Sequence, residues 1–190
     1  MIRKLAITML VAGCEPAPDH MLADEEPAAI DLPAREWCDD VRAWPDDALA
    51  IERELHDAID DARSDGGRCG TLGYFVPSDP LVVDGALTCA ARKHARDMDA
   101  REYFAHVDPE GGNVVARMKD AGYVAAESSE LIAAGDVAAT AIVDIAWLAG
   151  DPHCAALLAP EWQRVGMARQ PTQHDDRGAY WVVVLATEPG

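Results

Sequence analysis

Basic residues are scarce in this chain. It has 16 lysine and arginine residues against 34 aspartate and glutamate residues, which gives a formal net charge of −18 at pH 7. Nucleic-acid binding and loose attachment to anionic lipid both depend on clustered lysine and arginine. The composition therefore predicts no nucleic-acid partner and no purely electrostatic contact with a membrane.

Paired cysteine motifs and internal repeats are also missing. No CxxC sequence occurs among the five cysteines, which argues against a redox motif or a thiolate zinc site. The 190 residues are enough for one domain with a sizeable core and an N-terminal tail. We expect this domain to be a monomer.

The first 14 residues predict a signal peptide. Arg3 and Lys4 precede an apolar run that is too short to span a bilayer as a helix. The run ends in Val11-Ala12-Gly13-Cys14, which looks like a bacterial lipobox. In such signals the cysteine becomes the lipidated first residue, so we expect acyl chains on Cys14 to anchor the chain to a membrane. An ordinary cleaved signal is the alternative.

Residues 15–36 are rich in proline, alanine and acidic residues and have no sustained period. This composition predicts a disordered tether, followed by a folded domain over residues 37–190. The whole pattern predicts an exported cell-envelope lipoprotein, at the outer membrane or the cell surface.

The folded domain is organised around a predicted amphipathic helix. Asp84 suits the N-cap position because its carboxylate can accept from free N–H groups of the first turn. An apolar stripe follows at three- and four-residue steps: Leu87, Ala90, Ala91, His94 and Met98. Charged residues fall on the other side and predict a solvated face: Arg92, Lys93, Arg96, Asp97 and Asp99.

Two histidines belong to this region. His94 lies on the apolar stripe, so we interpret it as a buried, hydrogen-bonded core residue rather than a ligand. His106 comes after Tyr103 and Phe104 and just before the turn at residues 108–112, a setting in which functional residues concentrate. The residues alone leave a structural and a functional role for His106 equally open.

Helices dominate the rest of the chain until its end. A helical stripe runs to about residue 64, a short helix is predicted at about 114–121, another begins near Asp136, and one turn covers His153–Leu158. Two strands, Arg164–Arg169 and Tyr180–Thr187, close the chain. With Cys14 set aside, four cysteines in an exported domain predict two disulfides, and the sequence leaves three pairings open.

Several blocks together resemble the bacterial CAP family, also called SCP/PR-1-like. Their order and spacing over about residues 45–187 carry the resemblance: LTCAARKHARDM (87–98), YFAH (103–106), RMKDAGY (117–123), ELIAAG (130–135), WLAGDPHCAALL (147–158), Val165-Gly166 and Tyr180-Trp181. The resemblance implies an α+β fold, an α-β-α sandwich with a small antiparallel sheet between helical layers. It also implies the disulfide pairs Cys89–Cys154 and Cys38–Cys69.

The resemblance further implies a cleft formed by His106, Glu130 and His153. Two imidazoles and a carboxylate suit zinc or another divalent cation with an open position, and without metal the carboxylate could orient a histidine as a base. The family's Gly-Glu-Asn motif is Ser129-Glu130-Leu131 here, and its His-x-x-Asn asparagine is Ala156. These departures predict a weakened or repurposed cleft.

Two functions are consistent with this pattern. The first is an exported, lipid-anchored module that binds a lipid or cell-envelope ligand, with no enzymatic activity. The alternative is a metal-assisted, peptidase-like hydrolase that uses His106, Glu130 and His153 as catalytic residues, with zinc activating water. Ser128 and Ser129 lie beside Glu130, but no nucleophile motif surrounds them. The sequence therefore favours the binding module.

Overall fold

The computed structural model of the chain describes residues 30–172, 174 and 176–189. The predicted signal peptide, Cys14 and residues 15–29 of the predicted tether lie outside the described residues. Folded packing begins before the predicted boundary at residue 37. Leu32 is buried, and its carbonyl accepts a hydrogen bond of 3.0 Å from Arg42. The predicted tether therefore extends too far, because the apolar side chain of Leu32 belongs to the core.

The described residues form five α-helices and six strands. In chain order they are a 3-10 turn Glu36–Val41, α1 Asp46–Asp65, β1 Gly67–Arg68, a 3-10 turn Gly70–Leu72, β2 Tyr74–Phe75, β3 Val82–Val83, α2 Gly85–Ala100, α3 Val114–Ala121, β4 Ser128–Ala134, α4 Ala139–Ala141 continuing as a π-helix Ile142–Leu148, α5 Asp151–Leu158, β5 Arg164–Pro171 and β6 Ala179–Ala186.

The main sheet has four strands in the order β3-β5-β6-β4. The two long pairs, β5–β6 and β4–β6, are antiparallel, whereas the short strand β3 runs parallel to β5. The two strands predicted at the end of the chain are confirmed as β5 and β6. Strand β4 was not predicted, and it carries Glu130 opposite Val184 of β6.

Both faces of this sheet are covered, which confirms the predicted α-β-α sandwich. Successive residues of β6 alternate between two core clusters, as the pleat of a strand requires. One cluster lies against α2 and α3 and contains Tyr180, Val182 and Val184. The other lies against α1, the π-helix and α5 and contains Trp181, Val183 and Leu185.

Helix α2 forms as the sequence predicts at its start and on its apolar side. The Asp84 carboxylate accepts from the backbone N–H of Ala86 at 2.8 Å and of Leu87 at 3.1 Å, and every stripe residue is buried. The helix backbone approaches β5 so closely that a Cβ added at Gly166 would lie 2.0 Å from the carbonyl carbon of Leu87. Glycine at position 166 therefore permits this helix–sheet contact.

The prediction of a solvated face on α2 fails at Arg92. This arginine is only 1% exposed, because it forms a bidentate pair with Glu52 of α1, at 3.2 Å from Nε and 2.6 Å from Nη2. Its guanidinium also lies 5.0 Å from the ring centre of Trp44. A buried ion pair of this kind joins α1 to α2.

The disulfides differ from the pairing that the resemblance implied. The bonds are Cys38–Cys89 and Cys69–Cys154, so the predicted pairs Cys89–Cys154 and Cys38–Cys69 are wrong. The reason is the layering, because Cys89 lies on α2 on one side of the sheet and Cys154 lies on α5 on the other. A disulfide joins Cα atoms less than about 7 Å apart, whereas one packed layer is about 10 Å thick.

Within the described residues, no single helix is long and apolar enough to cross a membrane. One bent pair, Ala139–Leu148 with Asp151–Leu158 at 117°, meets the criterion by length and composition only.

Candidate functional site

Glu130 is the centre of the candidate site. Its side chain points from β4 toward α2 and α3 and is 3% exposed. One carboxylate oxygen, Oε1, lies 2.9 Å from Nδ1 of His106 and 3.7 Å from Nε2 of His94. The other, Oε2, accepts a hydrogen bond of 2.8 Å from Arg117. Three basic side chains from three parts of the chain therefore surround one buried carboxylate.

The imidazole of His106 connects the buried carboxylate of Glu130 to the protein surface. It lies in the loop between α2 and α3, and its side chain is 49% exposed. The loop is held by a turn in which Asp108 accepts from the backbone N–H of Gly112 at 2.8 Å. Arg117 adds a hydrogen bond of 3.0 Å to the backbone carbonyl of His106. The Nδ1–H of the ring donates to Glu130, which leaves the Nε2 edge of the ring for a ligand.

Arg117, on the buried side of α3, is one of the groups that keep Glu130 ionised. Burial raises the pKa of the Glu130 carboxyl, but the hydrogen bond from His106, the neighbouring imidazole of His94, and the charge and hydrogen bond of Arg117 together outweigh burial and hold that pKa below its ordinary value. Sequence reasoning assigned no role to Arg117. Its position on the buried side of a predicted helix could have identified it, because a buried arginine requires an anionic partner.

His94 is a third, fully buried residue beside the pair formed by His106 and Glu130. The hydroxyl of Tyr103 donates to Asp97 at 2.6 Å, and its oxygen lies 3.4 Å from Nδ1 of His94. Burial lowers the pKa of His94 to about 4, although the nearby charge of Glu130 opposes this effect. His94 is therefore neutral at pH 7. The sequence prediction of a buried core histidine is confirmed, but its place beside Glu130 was not predicted.

His153 does not join this site. It lies on α5, which packs on the opposite side of the sheet from α2. In the part of the chain that the structure describes, His153 forms no hydrogen bond or ion pair with His106 or Glu130. The structure thus brings together two of the three residues of the predicted cleft and leaves out the third.

The side chains present do not fit a metal ion. The described ranges contain no group of three or more His, Cys, Asp or Glu side chains that could hold one. One oxygen of Glu130 is already bound by the guanidinium of Arg117, whose positive charge would repel a divalent cation.

The arrangement resembles a general base more than a nucleophilic centre. A buried carboxylate fixes the tautomer and orientation of an exposed imidazole, as in many proton-transfer sites. Yet among the described residues the only hydrogen bond of the His106 ring is to Glu130, so no serine, threonine or cysteine is hydrogen-bonded to it. The pair can therefore bind a hydrogen-bonding ligand without supplying a nucleophile.

Known proteins resemble this chain in sequence and in fold. The profile of the family described as "CAP: Cysteine-rich secretory protein family" matches residues 76–185, which is more than half of the chain. The protein YkwD of Bacillus subtilis (strain 168) is 28% identical over 102 residues, which are 54% of this chain. The matched segment spans only 37% of the length of YkwD.

Three solved structures share the fold. An outer surface protein from Borrelia burgdorferi has a TM-score of 0.57 and 21% identity, over 73% of this chain and 92% of its own. An extracellular protein containing an SCP domain from Bacillus anthracis has a TM-score of 0.59 and 19% identity, over 74% and 41%. A cysteine-rich secretory protein from Staphylococcus aureus has a TM-score of 0.54 and 11% identity, over 74% and 39%.

Proposed function

Because the chain belongs to the CAP family, the cysteine-rich secretory protein family, we propose that it is a lipid-anchored binding module of the cell envelope. In this proposal the chain is exported, acyl chains on Cys14 hold it at the outer membrane or the cell surface, and the folded domain works as a monomer. The ligand is a lipid or another component of the envelope, and the domain does not turn it over.

Three observations support export, and the first of them also supports anchoring. The sequence Met1–Cys14 has the charge, the apolar run and the final cysteine of a lipoprotein signal. Both disulfides of the domain suit an oxidising compartment. The names of two structural relatives describe an outer surface protein and an extracellular protein, which agrees with the same address for this chain.

The observation that carries the binding role is the pair His106–Glu130. The buried carboxylate orients an imidazole that is half exposed, so the pair offers a fixed polar contact at the surface. Hydrolysis by the predicted trio has no comparable support. His153 lies apart from the pair, and the donor set around Glu130 does not suit a cation.

Anchoring is tested by labelling with radioactive palmitate in a bacterial host. The full chain is expected to carry the label and to sediment with membranes, and a Cys14→Ser variant is expected to lose both properties. A wild-type chain that is exported without label would overturn the anchoring part of the proposal.

Binding is tested by cosedimentation of the purified protein with peptidoglycan sacculi and, separately, with outer-membrane vesicles. His106→Ala is expected to reduce the bound fraction severalfold. The matched control His153→Ala removes an imidazole from the other side of the sheet and should bind like the wild type. No sedimentation of the wild type with either material, or equal losses in both variants, would contradict the proposed role of the pair.

A further inference from the structure

A groove of about 310 Å³ lies beside α2, and its lining includes His94 and Arg117, which contact Glu130. We call it the α2 groove. Its walls come from the 3-10 turn Glu36–Val41, α2 and α3, and the part beside the 3-10 turn is lined by Trp37, Asp40, Lys93 and Arg96. At Trp37, Asp40 and Lys93 it adjoins a second recess of about 540 Å³, whose other lining residues, Glu36 and Asp39, are acidic.

Basic side chains are concentrated in this groove. Over the whole chain, acidic residues outnumber lysine and arginine by 34 to 16. Among the residues that line the groove, four are basic and three are acidic, and the acidic ones are Asp40, Asp97 and Asp108. Arg117 is already paired with Glu130, and Arg101 with Asp97 and Glu110. The cations that remain for a ligand are Lys93 and Arg96, which share Asp40.

Two of the cations converge on a single carboxylate. Lys93 Nζ lies 3.0 Å from both oxygens of Asp40, and Arg96 Nη1 lies 3.5 Å from one of them. The Asp40 side chain is 49% exposed. Exposed ion pairs contribute little to stability, so a stronger oxyanion from solution can replace the Asp40 carboxylate. Arg96 Nη1 also donates to the backbone carbonyl of Asp40, so the two cations share one carboxylate and one neutral oxygen.

An aromatic ring adjoins this pair of cations. Lys93 Nζ lies 5.0 Å from the ring centre of Trp37, which lines both the α2 groove and the recess beside it. A ligand that places an oxyanion between Lys93 and Arg96 therefore places its neighbouring carbon atoms against Trp37. A phosphate group fits the cations well, because it offers three acceptor oxygens and up to two negative charges.

We propose that the α2 groove binds the phosphate group of a small organic phosphate ester, through Lys93 and Arg96, with its carbon portion against Trp37. This inference uses residues other than the pair His106–Glu130 and does not depend on lipid anchoring. The proposed ligand is a molecule in solution rather than an anionic bilayer, because a chain of net charge −18 is repelled by an anionic membrane surface.

The test is calorimetric titration of the purified protein with sn-glycerol 3-phosphate, with glycerol as the ligand that lacks phosphate. Arg96→Gln is expected to weaken binding of the phosphate ester about tenfold. Asp40→Asn removes the competing carboxylate and is expected to tighten binding severalfold. Arg164→Gln is the matched control, since Arg164 is also paired with an acid, Glu188 at 2.8 Å, but lies on β5 away from the groove.

Several results would overturn the proposal. One is that the wild type does not bind glycerol 3-phosphate. Another is that Arg96→Gln and Arg164→Gln lose affinity for it equally, and a third is that Asp40→Asn binds it more weakly than the wild type.

A second experiment uses vesicles of phosphatidylglycerol and of phosphatidylcholine. Binding to the anionic phosphatidylglycerol vesicles without binding of the soluble ester would assign the groove to a membrane instead. Thermal melting of each variant identifies any loss that comes from unfolding. Arg96→Gln should leave the cosedimentation with envelope material unchanged, so the two proposals fail separately.

Discussion

The neutral, buried His94 makes the stability of the fold depend on pH in a defined direction. In the folded protein the pKa of His94 is about 4, against an ordinary value of 6.5. Above pH 6.5 the ring is neutral in both states and stability is unaffected. Below it, the unfolded chain takes up a proton that folded His94 does not accept, so stability falls as the pH falls toward 4.

The magnitude follows from the difference in proton affinity. Each tenfold difference corresponds to about 1.4 kcal/mol, so this one residue lowers the free energy of unfolding by about 2 kcal/mol at pH 5 and about 3 kcal/mol at pH 4. Glu130 and Asp97, which lie near His94, have lowered pKa values and stay ionised at pH 5. Urea unfolding followed by tryptophan fluorescence measures this free energy, since Trp147 and Trp181 are fully buried.

The comparison that isolates His94 uses His94→Gln, which keeps a polar side chain and cannot titrate. Between pH 7 and pH 5 the wild type should lose about 2 kcal/mol more than this variant. The control His153→Gln should lose as much as the wild type. Equal losses in wild type and His94→Gln would refute the reasoning, and so would a His94 ring pKa near 6.5 measured by NMR in the folded protein.

Three further predictions concern the bonds and ions of the domain. Peptide mapping of the non-reduced protein will join Cys38 to Cys89, and a peptide that joins Cys89 to Cys154 would show that the layering argument is incorrect. Glu52→Gln will lower the free energy of unfolding by about 3 kcal/mol or more, because it leaves the buried Arg92 without its anion. Chemical denaturation measures this free energy, and a loss under about 1 kcal/mol would contradict the prediction. Zinc will leave the melting temperature unchanged in calorimetry, whereas a zinc-dependent rise that His106→Ala abolishes would show that the site does hold a metal.

Local patterns in the sequence predicted the parts of the fold that depend on near neighbours. The capping residue Asp84 and the apolar stripe of α2 were correct because both act within a few turns of one helix. The final strands were correct because β6 is apolar on both faces. Strand β4 gave a weaker signal, since its first three residues, Ser128, Ser129 and Glu130, are polar.

Long-range arrangement was harder to predict. The disulfide pairing depends on which side of the sheet each cysteine occupies, and no local pattern records that. The pairing Arg92–Glu52 joins residues 40 positions apart, so the charged side of α2 could not be identified as partly buried from its own sequence. For the site, Glu130 and His106 were predicted as neighbours from the resemblance alone, which could not reveal that Arg117 and His94 complete the site in place of His153.

The bond between Cys38 and Cys89 also decides how the domain would carry mechanical load. A pull on the chain before Cys38 passes through this covalent link straight into α2, and then along the helix to the loop that holds His106. The bridged cysteines are 51 positions apart, so residues 39–88, with all of α1, lie outside this path and bear no tension. A ligand held at His106 and an anchor at the N-terminus would strain one helix and one loop, and the sheet would not be sheared.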